Sequence, residues 1–216
     1  GWIIGNLLGA VAAYRKGIFD RIIFPLSLFF SSIPVFVLAL LMKYYLGVYA
    51  HWFPMQGAYD AELMPSATFT FYWSLFRHWQ LPFLATCLVM IGGQAIGMRS
   101  MSLYELNADY VLYAKLLGIP ENKITKYVFK NAVLPQITGL ALSLGTMISG
   151  ALITEIVFSY PGIGTQLVNA IHNVDYTLIS GCTLFISITA LIANFTIEII
   201  YGLIDPRIRA IQMEEE

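Results

Sequence analysis

Two carboxylates stand where an acid could do chemistry, because Glu155 and Glu198 fall in or beside long apolar runs. An ionised side chain in hydrocarbon is costly, so each is a functional candidate by default. Helical counting places Glu155 near the outer end of its run, where a hydrogen-bonded structural role and an outer-gate role are both open. Glu198 stands about two turns from the inner end of the last run, which fits helix packing or pore lining better than proton carriage. Ser143, Gly145, Thr146, Ser149, Gly150 and Thr154 give the run 136–158 a small, polar face that serves close packing or lines a wet pathway. Ser149, Thr154, Glu155 and Glu198 are the resulting candidates for a translocation pathway.

Catalytic and metal chemistry find no inventory. The sequence contains no Gly-Lys dipeptide, so a phosphate-binding loop of the Gly-x-x-x-x-Gly-Lys-Ser/Thr kind is absent. His51, His78 and His172 lack the spacing of metal ligands and read as surface residues on the outer side. Cys87 and Cys182 both lie in apolar runs and read as small buried hydrophobes. We therefore expect no catalytic residue, no metal and no cofactor in this chain.

The elements that must position these residues are set by hydropathy. Of 216 residues, 58% are apolar and 12% charged, and the mean hydropathy is +0.71, more apolar surface than one soluble core of this length can hide. The chain belongs in a lipid bilayer, and a formal charge of −1 argues against a nucleic-acid partner. Apolar runs predict full spans over 22–46, 81–98, 136–158 and 177–204 and a partial one over 2–14. Pro25 and Pro34 are expected to kink the run 22–46 without ending it. In the run 81–98, Gly92, Gly93, Gln94 and Gly97 are expected to face other helices. The segments 15–21, 99–135 and the C-terminal tail carry ten of the twelve Lys and Arg, which predicts that all three are cytoplasmic.

The segment 47–80 then becomes an external loop, and its many aromatic residues suit the headgroup zone better than a ligand-stacking site. Farther along, Pro161, Gly162 and Gly164 predict a tight external turn with left-handed geometry open to its glycines. A short helix over 165–172 follows, and Asp175-Tyr176 starts the last span.

Between the third and fourth full spans, residues 107–135 read as two helices with a break of fixed geometry. Asn107 is the expected N-cap of the first, with Asp109 in its first turn, and Gly118 supplies the left-handed residue that ends it. Pro120 and Glu121 restart the chain as a second helix. Tyr110, Ala114 and Leu117 fall on one side of the first helix, while Ile124, Tyr127, Val128, Val133 and Leu134 give the second an apolar side. Capped helices with apolar faces turned to the cytoplasm point to a docking surface.

A family resemblance is carried by Asp109-Tyr110-Val111, Ala114-Lys115, Gly118, Lys130-Asn131-Ala132 and Leu134-Pro135. It continues through Glu155, Phe158, Pro161-Gly162-Ile163-Gly164, Asp175-Tyr176 and Asp205-Pro206-Arg207-Ile208-Arg209. In this order and spacing the chain resembles the permease subunits of the dipeptide, oligopeptide and nickel branch of ATP-binding-cassette importers. The likeness reaches back to Gly9–Gly17, Asp20-Arg21 and Ser32-Ile33-Pro34. It implies an all-α polytopic transmembrane bundle over 1–210, incomplete at its N-terminus, with an acidic cytoplasmic tail over 211–216. It further implies that 107–130 is the coupling segment, with Asp109, Tyr110, Ala114, Lys115, Leu117, Gly118 and Pro120 meeting the ATP-binding subunit. Where such loops commonly begin Glu-Ala-Ala, this chain has Leu112, Tyr113 and Ala114, so only Ala114 and Gly118 carry over. The implied partners are a second, similar permease, two ATP-binding subunits that hold ATP and Mg, an external or periplasmic solute-binding protein and the lipid of a bacterial or archaeal inner membrane. Peptides, oligosaccharides or nickel are the implied cargo. An ion-gradient-driven transporter or channel working through Glu155 and Glu198 is the rival reading.

Overall fold

The computed structural model describes residues 1–15 and 17–204, with the backbone alone described over 141–151, 197–198 and 200–204. Among the described residues all regular structure is helical: α1 (Trp2–Arg15), α2 (Ile18–Ser32), α3 (Val35–Met42) continuing as a π-helix (Lys43–Tyr49), α4 (Phe69–Leu106), α5 (Asp109–Leu116), α6 (Glu121–Phe158), α7 (Ile163–His172) and α8 (Tyr176–Ile204). The chain forms two compact units that divide within α6, Gly1–Gln136 and the chain from Ile137 onward.

The first unit is built on α4. Its 38 residues make a rod of about 57 Å, far longer than the ~30 Å of hydrocarbon. The aromatic stretch from Phe69 to Gln80, expected as loop, is the N-terminal end of this helix. Ser74, His78 and Leu81 supply its buried side, while Phe69, Trp73, Phe76, Trp79 and Phe83 line its exposed side as a ladder of rings with centroids 4.1–6.3 Å apart. Thr70, Ser74, Arg77, His78 and Gln80 lower the hydropathy of this stretch without breaking the helix, which is why an apolar-run reading stopped short of it. The remaining loop, 50–68, is pinned to α4 at Ser74, which donates its hydroxyl to the Asp60 carboxylate (2.7 Å) and accepts the Asp60 backbone N–H (2.8 Å), while within α4 His78 Nδ1 meets the Ser74 carbonyl at 2.8 Å. His78 is thereby interior rather than a surface residue.

Small residues let α1 and α2 approach α4 closely. A Cβ on Gly5 would stand 2.6 Å from Gln94 Cβ, and one on Gly92 only 2.6 Å from the Ser27 carbonyl oxygen. Gly93, in contrast, faces open space. Asp20 of α2 and Arg99 of α4 close this packing with two charge-assisted bonds of 2.6 and 2.7 Å, and the guanidinium lies 4.4 Å from the Phe24 ring centre.

Within the expected span 22–46 the structure differs from a kinked rod. Proline restricts the residue before it to extended geometry, and Ile33 (φ −83°, ψ 126°) adopts it ahead of Pro34. The chain turns by 99° there, so α2 and α3 with its π-helical extension form a bent pair. Pro25, by contrast, sits inside α2. Among the described residues, α4 and α8 (over Tyr176–Thr196) are long and apolar enough to cross a membrane, and the bent pair is a third if it counts as one span. The expected span 136–158 is helical within α6, but the side chains of 141–151 lie outside the described set. At about 21 Å, α1 is short for a crossing, as its 14 residues require.

Candidate functional site

In the first unit, the segment after α4 breaks and restarts by a defined rule. Asn107, the expected N-cap of α5, instead closes α4, its side-chain amide donating to the Leu103 carbonyl at 2.9 Å. Ala108, with extended backbone, holds the N-cap position of α5 without a side-chain bond. At the other end Gly118 takes φ +71°, and paired bonds run from Gly118 N to Lys115 O and from Ile119 N to Ala114 O, both 3.0 Å. This is the Schellman arrangement, which satisfies the last carbonyls of α5 and needs a left-handed residue where Gly118 stands. Lys123 N and Ile124 N then bond to the Pro120 carbonyl and start α6.

The turn folds α6 back over one side of α5. Val111 and Ala114 are buried there against Ile124 and Val128, with Tyr14, Leu106, Tyr110 and Ile119 packed around them. Ala114 is thus inside the unit at 8% exposure, not on a docking face as expected. Leu117 is on the outside because it has already left the helix as its C-cap. The face that α5 turns away from α6 consists of Leu112, Tyr113, Leu116 and Leu117, all between 57% and 78% exposed. Asp109, Lys115, Gly118 and Pro120 are also exposed, and Tyr110 is half-buried.

Polar bonds fix this platform. Tyr110 donates its hydroxyl to Glu105 at 2.7 Å, and Asn131 reaches the same carboxylate oxygen at 3.4 Å, tying α4, α5 and α6 at one point. Burial first, then the hydrogen bond to Glu105, pushes the Tyr110 hydroxyl above the ordinary tyrosine pKa. Tyr14 of α1 donates to the Thr125 carbonyl at 2.8 Å. Glu105 and Tyr14 were missed from sequence, since neither lies in the two-helix segment they anchor.

In the second unit, Glu155 of α6 caps α7. Its Oε2 accepts the backbone N–H of Gly164 (2.9 Å) and of Thr165 (3.1 Å), an anion on a helix N-terminus. Gly162 precedes α7 in extended geometry (φ −144°, ψ 176°), so the expected left-handed glycine is not there. Its lack of a side chain serves proximity instead, because a Cβ on Gly162 would coincide with the Glu155 carboxylate. The left-handed position falls on Ser159 (φ +48°), which ends α6. A second one falls on Val174 (φ +57°), which ends α7 through bonds from Val174 N to Ile171 O and Asp175 N to Ala170 O. Asp175 then accepts the Leu178 N–H at 3.0 Å and caps α8.

Residues 5–210 match the family of binding-protein-dependent transport system inner membrane components. The chain belongs to this family. Curated relatives include a di/tripeptide transport system permease of Pseudomonas aeruginosa, 32% identical over 95% of this chain and 66% of its own length. A dipeptide transport system permease of Bacillus subtilis is 34% identical over 96% of this chain and 63% of its own length. A putative peptide permease of Brucella ovis is 36% identical over 96% and 64%. The chain therefore spans slightly less than two thirds of the length of these relatives. The all-helical, membrane-spanning fold implied by the resemblance agrees with this membership.

Among the pathway candidates of the family member described here, Glu155 is engaged as a cap and Thr154 is buried at 8% exposure. The side chains of Ser149 and Glu198, with Ser143, Gly145, Thr146 and Gly150, lie outside the described residues, as do Lys16 and the tail from Asp205.

Proposed function

We propose that this chain is the pore-forming permease of an ATP-binding-cassette importer that carries peptides inward. Residues 1–210 act as one transmembrane domain, and 107–130 couple it to cytoplasmic subunits that bind ATP and Mg and hydrolyse the nucleotide. A second, similar permease, two ATP-binding subunits and an external solute-binding protein complete the assembly. The excess of Lys and Arg supports a cytoplasmic placement of 15–21, 99–135 and the C-terminus.

The observation that carries this reading is the outward face of α5. Leu112, Tyr113, Leu116 and Leu117 remain exposed on a helix that is closed at its end by Gly118 and braced from behind by Ile124 and Val128. Exposed apolar groups on a rigid support are what a docking surface requires. Leu117, Asp109, Lys115, Gly118 and Pro120 are contact residues in this proposal; Ala114 and Tyr110 hold the helix in place from the inner side. The peptide assignment follows the named relatives.

Reconstitution tests it. Proteoliposomes containing the complete set of subunits are expected to take up labelled di- and tripeptides only with ATP inside the system and the solute-binding protein present. Uptake by this chain alone, driven by an ion gradient, would overturn the proposal in favour of a secondary transporter.

A further inference from the structure

In the second unit, α6, α7 and α8 line an open cleft of about 240 Å³. Its described lining is Leu152 and Glu155, Gly164 and Leu167, and Thr183, Ile186 and Ser187. The wall thus holds one carboxylate, two hydroxyls and three branched aliphatic chains, with no Lys, Arg or His among the described lining residues. A cleft of this volume holds several water molecules and has room for a short amine-bearing group.

Glu155 is held on one side only. Among the described residues both bonds to its carboxylate fall on Oε2, from Gly164 and Thr165, and none falls on Oε1. A carboxylate offers about four lone-pair sites, so half its accepting capacity remains. Its free oxygen accepts the N–H of an ammonium group, a charge-assisted hydrogen bond. Thr183 donates its hydroxyl to the Ile179 carbonyl at 2.8 Å, so the oxygen faces further contacts as an acceptor. Glu155 Oε1, Thr183 Oγ1 and Ser187 Oγ match in number the three donors of an ammonium group. A divalent metal is a poorer fit, since among the described residues no three His, Cys, Asp or Glu side chains gather anywhere.

We infer that this cleft is a subsite for a primary ammonium group, the amino terminus of a peptide in transit, with Glu155 as its counter-ion and Leu152, Leu167 and Ile186 around the first side chain. The inference rests on the peptide reading above. Glu155 thereby serves two partners, the N-terminus of α7 through Oε2 and the cargo through Oε1.

The test uses the complex of permeases and ATP-binding subunits in lipid nanodiscs without the solute-binding protein, so that only the membrane subsite is read. The probes are dialanine, N-acetyl-dialanine and n-butylammonium, with binding measured by calorimetry. Dialanine is expected to bind at least about tenfold more tightly than its N-acetyl form, as the loss of one charge-assisted bond predicts. Glu155→Gln keeps an acceptor for the α7 amides and removes the charge, so it should abolish that preference while amide exchange at Gly164 and Thr165 stays protected. Ser187→Ala, on an exposed stretch of α8, should weaken dialanine severalfold without changing the fold. An undiminished preference for dialanine in Glu155→Gln overturns the inference. n-Butylammonium bound as tightly as dialanine would assign the subsite to free amines and overturn its peptide part. Peptide uptake by the reconstituted importer with no preference at the subsite sinks the inference alone; absence of any peptide uptake, with Glu155-dependent amine binding intact, sinks the peptide reading instead.

Discussion

Replacing Glu155 with Ala deletes the acceptor for two backbone N–H groups at the start of α7. Loss of a helix N-cap costs about 0.5–2 kcal/mol, and a hydrogen bond to a charged group is worth about 1.5–3 kcal/mol. Taking about 2 kcal/mol for this half-buried contact, exchange protection of the first α7 amides should fall about thirtyfold. Gly162→Ala attacks the same contact from the other side. Its backbone geometry suits any residue, so the cost is steric alone: the new methyl falls on the carboxylate and drives it from the Gly164 and Thr165 amides. Because both variants break one contact, their costs cannot add. In the double variant the methyl occupies space the carboxylate has vacated, and a coupling of about 1–2 kcal/mol is expected. Site-resolved hydrogen exchange on the single and double variants of the purified complex measures it. Costs that add to within about 0.5 kcal/mol would refute the claim that Gly162 exists to admit Glu155.

Further variants test other joints of the fold. Gly118→Ala places a Cβ in left-handed geometry and should cost about 1 kcal/mol or more, seen as a lower midpoint in denaturation of the complex. Val174→Gly should act in the opposite sense, stabilising by up to about 1 kcal/mol in the same assay, because a β-branched residue now holds a left-handed position. Pro34→Ala restores a backbone N–H and frees Ile33 from its extended restriction, so the 99° bend should open; a spin-label distance between positions 22 and 44 should lengthen, and an unchanged distance would mean that packing, not proline, sets the bend.

Much of this architecture is legible in residue pattern. The turn at Gly118 follows from a glycine at the end of an apolar helix and before Ile-Pro, a local signal that needs no tertiary knowledge. The start of α8 at Asp175-Tyr176 is equally local, since Asp175 caps it with its own side chain. What failed to read were features in which two local signals compete or a neighbouring element decides. Asn107 looks like a cap for α5, but its amide is satisfied one turn back in α4. Ala114 shares a helical side with Leu117 only while both are helical, and α6 returns over that side to bury it. Gly162 looks like a turn glycine until the carboxylate of Glu155, seven residues earlier, is brought against it. The aromatic N-terminal end of α4 reads as loop by hydropathy, although its ring spacing of three and four is helical.

The central proposal, that the outward face of α5 docks ATP-binding subunits, is tested most directly on that face. Ala114→Arg is a poor probe, because it would bury a charge among Val111, Ile124 and Val128 and damage the platform itself. Leu116→Arg places its charge in solvent when the partner is absent and in a desolvated contact when it is present. The measurement is co-purification of the ATP-binding subunits, together with substrate-stimulated ATP hydrolysis in membranes, for Leu116→Arg beside the exposed control Asn122→Arg. Both readouts should collapse for Leu116→Arg at normal permease abundance and stay near wild type for Asn122→Arg. Wild-type association and hydrolysis in Leu116→Arg would contradict the account.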